Sequence, residues 1–169
     1  MKKLFLFLLF TLFTHTSHAA CYNNIIGTVS SVADGDTITV KTSTNPALKI
    51  RFAEIDAPEV SHFGSLTQPY GEESKALLSN LILNKTITIS PHAIDTYGRT
   101  LATVYYTAPN TTTALNVNKY LVQKGAAWAY TFFVIDKTII TLQNKAKTAR
   151  LGLWLDLNAI EPSVWRSTH

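Results

Sequence analysis

With 169 residues, the chain is long enough for one domain built around a single core. Its formal charge is +4, of which Lys2 and Lys3 supply two, so the rest is only mildly basic and charge alone does not point to nucleic acid. Cys21 is the only cysteine, which excludes an internal disulfide and leaves stability to packing and to any bound metal.

Residues 1–20 read as a secretory signal peptide: Lys2 and Lys3, an apolar run from Leu4 to Phe13, then Ser17, His18, Ala19 and Ala20 as the small-residue exit. The run inflates the 46% hydrophobic content, yet it is too short for a membrane span and is broken by Thr11. Cleavage after Ala19 or Ala20 fits. The second would leave Cys21 first, as in a bacterial lipoprotein, but His18 stands where such a site takes an aliphatic residue. The expected destination is the periplasm or the exterior, with lipid anchoring at Cys21 as the alternative.

Residues 21–169 then form one domain, with a barrel core over about 25–154 and a loose tail over 155–169. Ile25 to Val32, β-branched and short on charge, predicts a first strand. Two alternating runs follow, Thr37–Lys41 and Leu48–Phe52, separated by the turn cluster Ser43, Thr44, Asn45, Pro46; together they predict a hairpin. A hairpin sets the start of one strand beside the end of the next, so Asp36 and Asp56 are expected to converge across twenty positions. Paired carboxylates repel, and a hard cation with oxygen ligands relieves them. Arg51 alternates with Leu48, Ile50 and Phe52, so its guanidinium should point away from the core and its removal should spare the fold.

Val60 to Tyr70 lacks any period and reads as a surface loop beside this site. Leu77, Leu78, Leu81 and Ile82 share one helical face behind Glu72 and Glu73, and Asn84 ends that helix. Thr86–Ser90 and Thr100–Tyr106 predict a fourth and a fifth strand, joined through Asp95, Thr96, Tyr97, Gly98 and Arg99. Thr111, Thr112 and Thr113 offer caps for a second helix carrying Ala114, Val117 and Leu121, stopped at Gly125. The aromatic stretch Ala126–Phe133 follows, in which Tyr130 and Phe132 are candidates for stacking on bases. Asp136 caps a third helix with an Ile139, Leu142, Ala146, Ala149 stripe, and Trp154 is expected to pack back on the barrel. Five strands with three helices and no repeat predict an α+β, mainly β, fold: a five-stranded OB-fold Greek-key barrel whose strand order the periodicities leave open.

The combination Asp34-Gly35-Asp36-Thr37, Arg51, Asp56-Ala57-Pro58-Glu59 and Asp95-Thr96-Tyr97-Gly98-Arg99 resembles the thermonuclease family, the staphylococcal-nuclease-like enzymes, with matching features from about Gly27 to Trp154. The resemblance implies the same OB-fold and a secreted, calcium-dependent nuclease acting on DNA and RNA as a monomer and leaving 3′-phosphate ends. It assigns Asp36, Asp56 and the carbonyl of Ala57 to Ca2+; because that third ligand is main chain, alanine where the prototype has threonine need not impair it. It matches Glu59 to the carboxylate that positions the attacking water, Arg51 and Arg99 to the phosphate-binding arginines, and Asp34 to an acidic neighbour in the outer metal environment. Tyr97 is a candidate for contact with a phosphate or a base. The family's loop beside the substrate is lysine-rich, whereas Val60–Tyr70 contains no lysine. The alternative is a non-catalytic nucleic-acid or protein-binding module on the same fold, whose members lose the acidic and arginine positions kept here. A zinc enzyme is disfavoured, since His62, His92 and His169 lack ligand spacing.

Overall fold

A computed structural model describes residues 23–169 except 62, 63 and 65; the expected signal segment 1–20, Cys21 and His62 lie outside the described residues. Three strands come first, β1 (Ile25–Val32), β2 (Thr37–Thr42) and β3 (Leu48–Phe52), then a two-residue β4 (Ile55–Asp56) and helix α1 (Gly71–Ile82). Strands β5 (Thr86–Ile94), β6 (Thr100–Tyr106) and the short β7 (Leu115–Asn116) lead into α2 (Val117–Gln123), β8 (Trp128–Ala129), α3 (Thr138–Thr148), a 3-10 turn at Gly152–Leu155 and α4 (Pro162–Thr168).

Alternation closes the barrel. Val29, Ile38, Val40, Ile50, Phe52, Ile87, Ile89, Ala102 and Val104, each at every second position of its strand, are sealed from water. Each buried Val, Ile or Phe contributes about 1.5 to 3 kcal/mol by leaving solvent. The strands run β3-β2-β1-β5-β6 through antiparallel pairs, and a parallel β3–β6 pairing, Ile50 with Thr100 and Phe52 with Ala102, shuts the ring. This is the closed five-stranded barrel expected of an OB-fold. Helix α1 lays Leu78 and Ile82 on the core, and α2 lays Val117, Leu121 and Val122. Buried Asn118 stitches α2 to the ring: its Oδ1 accepts the Val104 amide at 2.9 Å while its Nδ2 donates to the carbonyls of Ala53 at 2.9 Å and Ala102 at 3.2 Å. No helix among the described residues is long and apolar enough to cross a membrane.

Several local expectations change. The second helix starts at Val117, not behind the threonines, because the Asn116 side chain accepts the Lys119 amide at 3.0 Å and residues 115–116 pair with Tyr105 and Tyr106. In α3, Ala149 is exposed and Gln143 is buried in its stead, its Oε1 accepting the Ala129 amide at 2.8 Å. The N-cap of this helix is Lys137 rather than Asp136, although Asp136, one residue earlier, accepts the Thr138 amide at 2.9 Å. Among the described residues four α-helices stand where three were expected. The fourth occupies the stretch read as a loose tail: Pro162 opens it and is buried, and the Gln68 side chain donates to the Ile160 carbonyl at 2.7 Å just ahead of it.

Gly35 links the fold to the site. A Cβ there would run into Ser74 Oγ on α1, which is held by its bond to the Ala126 carbonyl, and would lie 2.7 Å from Ala57 Cβ. Gly35→Ala should therefore lift the Asp34–Asp36 turn off α1 and cost about 1 to 3 kcal/mol, as overpacking does. Urea unfolding measures this, and an unchanged midpoint would show that the turn yields freely.

Candidate active site

Thr37 pairs with Arg51 and Ile38 with Ile50, so the turn before β2 and the segment after β3 meet at one end of the barrel. There Asp36 and Asp56, 3% and 2% exposed, face a single guanidinium. Arg51 Nη1 lies 2.5 Å from Asp36 Oδ2 and Nη2 lies 2.6 Å from Asp56 Oδ1, while Nη1 also donates to the Ile55 carbonyl at 3.2 Å. Asp36 accepts the Ala57 amide at 2.5 Å and the Thr37 hydroxyl at 3.1 Å, and Asp34 accepts the Asp36 amide at 3.0 Å. The expected convergence is thus present. Arg51 is on the outer face of β3 as its alternation requires, but its side chain is only 12% exposed, enclosed by the acids it pairs with. This enclosure leads us to expect that removing Arg51 costs stability as well as cleavage, where its outward alternation alone had suggested that the fold would be spared.

Burial pushes the Asp36 carboxyl well above its ordinary value; Arg51 opposes this, while Asp34 and Asp56 add to it. For Arg51, burial disfavours the charge, but Asp36, Asp56 and Asp34 outweigh that and hold the guanidinium firmly protonated.

Glu59 sits three residues after Asp56, partly open to solvent, with its backbone gripped at both ends by buried Gln68. The Glu59 amide donates to Gln68 Oε1 at 3.1 Å, and the Gln68 amide donates to the Glu59 carbonyl at 2.9 Å. Arg166 of α4 completes the cluster. Its Nη1 lies 2.5 Å from Glu59 Oε1 and 3.1 Å from Asp56 Oδ1, and its Nη2 lies 2.9 Å from Asp56 Oδ2. Burial works against the Arg166 charge, but the bonds to Asp56 and Glu59 prevail and raise its affinity for the proton.

Arg99 precedes the residue of β6 that pairs with Ile50, so it lies one strand over from Arg51 on the same outer face. Its guanidinium is not in the carboxylate cluster: Nε donates to Asp95 at 2.7 Å, and the group lies 5.4 Å from the Tyr97 ring centre. Although burial acts to raise it, the Asp95 carboxyl is held below its usual range by the Arg99 amide and side chain and by the Tyr97 amide. Tyr97 is 82% exposed at the turn where Gly98 takes φ +76°. Tyr130 and Phe132 lie on the loop after β8, which pairs with β4 beside Asp56. Phe132 is 81% exposed, and Tyr130 contacts it edge-on at 6.3 Å.

Three contributors escaped the sequence reading: Arg166, Gln68 and Glu54. Glu54 takes the left-handed backbone conformation, φ +67°, between Arg51 and Asp56. Its carbonyl accepts the Tyr130 amide at 2.9 Å and its carboxylate the Ile135 amide at 3.1 Å, so one residue ties both ends of the aromatic loop. Pro162, a favoured first helical residue, was the one available signal for Arg166.

Two buried converging carboxylates with a third beside them are hard oxygen donors, suited to calcium or magnesium rather than zinc. Asp34, Asp36, Asp56 and Glu59 stand against two guanidiniums, Arg51 and Arg166, so the cluster carries more carboxylates than cations and a divalent cation fits. Among the described residues no three His, Cys, Asp or Glu side chains form a ligand group. Side chains would then give two ligands, with main-chain carbonyl and water completing the shell.

Residues 49–156 match the model of the staphylococcal nuclease homologue family. The chain is 39% identical over 165 residues to an uncharacterized endonuclease of Haemophilus influenzae, covering 98% of this chain and 85% of that one. It is 40% identical over 143 residues to an uncharacterized endonuclease of Escherichia coli O157:H7, covering 85% and 86%. A micrococcal nuclease of Shigella flexneri is 37% identical over 147 residues, covering 83% and 79%. The chain belongs to the staphylococcal nuclease homologues and is a hydrolase of the nuclease class.

Proposed function

We propose that this protein is an exported, calcium-dependent nuclease that hydrolyses phosphodiester bonds of DNA and RNA as a monomer and leaves 3′-phosphate ends. The observation that carries the reading is the buried Asp36–Arg51–Asp56 bridge, an acidic site short of positive charge beside a guanidinium. Export rests on the character of residues 1–20, and the product ends on the family resemblance.

Asp36, Asp56 and the Ala57 carbonyl would hold calcium. When bound, it supplies Lewis-acid stabilisation of charge on the phosphate oxygens. The chain's own groups do the rest. Arg51, fixed by two carboxylates, presents a planar donor fork to a non-bridging oxygen without reorganising during reaction. Arg99 reaches the same phosphate from the neighbouring strand after exchanging Asp95 for it. Glu59, at the open side of the cluster, accepts a proton from the water that attacks phosphorus. The bond to the 5′ oxygen then breaks and leaves phosphate on the 3′ side. Tyr97 and Phe132, which are exposed, and half-buried Tyr130 are the rings on which bases would stack.

Purified mature protein incubated with single-stranded DNA, duplex DNA and RNA in calcium should cleave them. Cleavage should stop in excess EGTA and return when calcium is restored. Undiminished cleavage in EGTA would remove the metal from the mechanism, and retention of nucleic acid without cleavage would favour the binding-module alternative.

A further inference from the structure

The family match ends at residue 156, yet the helix beyond it sends Arg166 into the carboxylate cluster. We propose that α4 is an autoinhibitory latch: Arg166 stands on Asp56 and Glu59 as a built-in cation and must leave before a divalent ion and the attacking water can use them. The inference rests on the metal-dependent reading above.

Occupancy is the first reason. Arg51 and Arg166 together take both oxygens of Asp56, Oδ1 from two sides and Oδ2 from Arg166 alone. A carboxylate so engaged has three of its roughly four lone-pair directions taken, two of them by Arg166, whose positive charge also repels an incoming metal ion. Glu59, with the same guanidinium at 2.5 Å, is likewise occupied by a donor where it has to accept a proton from water.

The second reason is that the latch is built to open. A seven-residue helix is not stable alone and holds its place only through its contacts. Those contacts are few: buried Pro162, the Ile160 carbonyl bonded to Gln68, and Arg166, whose side chain remains 41% exposed. A guanidinium does not lose its proton in the working range, so acidity cannot release it. A competing cation can. Because Gln68 grips both Glu59 and the start of this segment, the hinge lies beside the site it covers.

Calcium titration calorimetry and amide hydrogen exchange on the full mature chain test this, with and without Arg166→Gln. The variant should bind calcium about tenfold more tightly, the scale of losing one partly exposed charge-assisted contact. In the unaltered protein, amides of residues 163–168 should exchange faster once calcium saturates; in the variant they should exchange fast throughout. Equal or weaker calcium binding by the variant, or exchange in α4 that calcium does not move, overturns the latch. Equal affinity in both proteins would remove the latch alone. If neither binds calcium, the metal-dependent reading falls and takes the latch with it.

Discussion

Arg51→Ala is expected to lose cleavage by about a thousandfold and stability by about 3 to 5 kcal/mol together. Both losses have one origin. The guanidinium is the bridge between two buried carboxylates and the donor fork offered to the phosphate, so alanine takes from buried Asp36 the cation it pairs with and leaves Asp56 to Arg166. A stability loss of that size lowers Tm by about 10 °C in a domain of this length. It should shrink as pH falls, because protonating Asp36, whose carboxyl burial already pushes up, removes its uncompensated charge. Arg99→Ala is the control: its side chain pairs with partly exposed Asp95 and lies by the exposed Tyr97 ring, so cleavage should drop while Tm stays within a few degrees. Calorimetry and single-turnover digestion of the two variants separate the cases. An Arg51→Ala protein as stable as the parent would mean the bridge does not carry the charge balance described here.

Asp36→Asn should do the opposite to stability. A buried carboxyl raised above the value of about 3.9 that it has in the unfolded chain keeps its proton longer when folded. The folded form is therefore favoured at low pH, and stability falls as pH rises from about 4 through the folded value. Asparagine removes that slope, keeps an oxygen for the Ala57 amide and leaves Arg51 paired with Asp56. The variant should gain on the order of 1 kcal/mol at neutral pH, about 2 to 4 °C in Tm. It should also lose most cleavage, having given up one of two anionic ligands. A lower Tm than the parent at pH 7 would mean that Arg51 stabilises Asp36 by more than its burial costs.

The barrel and the meeting of its acidic ends were legible in the residues because both follow from a period of two. Val29, Ile38, Val40, Ile50 and Phe52 mark the inward face, and a short turn fixes the register that sets Asp36 near Asp56. The start of α2 was less legible, since three threonines and Asn116 all have capping chemistry and only strand pairing at residues 115–116 decides among them. Arg51 was placed on the correct face, beside the carboxylates, but its enclosure by them was not foreseen; alternation gives a face and says nothing of what covers it. The α4 contact was out of reach for a related reason. Seven residues hold too few apolar positions to display a helical period, and the partner of Arg166 lies 110 positions away at Asp56. Glu54 and Gln68 act through main-chain groups of distant loops, contacts that leave no pattern in a sequence.

The claim on which all of this turns is that two aspartates from opposite ends of one hairpin share a single divalent ion. Calcium titration of the mature protein followed by calorimetry tests it most directly, alongside Asp36→Asn and Asp56→Asn. One site per chain, weakened at least tenfold in each single variant, is the predicted result. Wild-type affinity in either variant would contradict it.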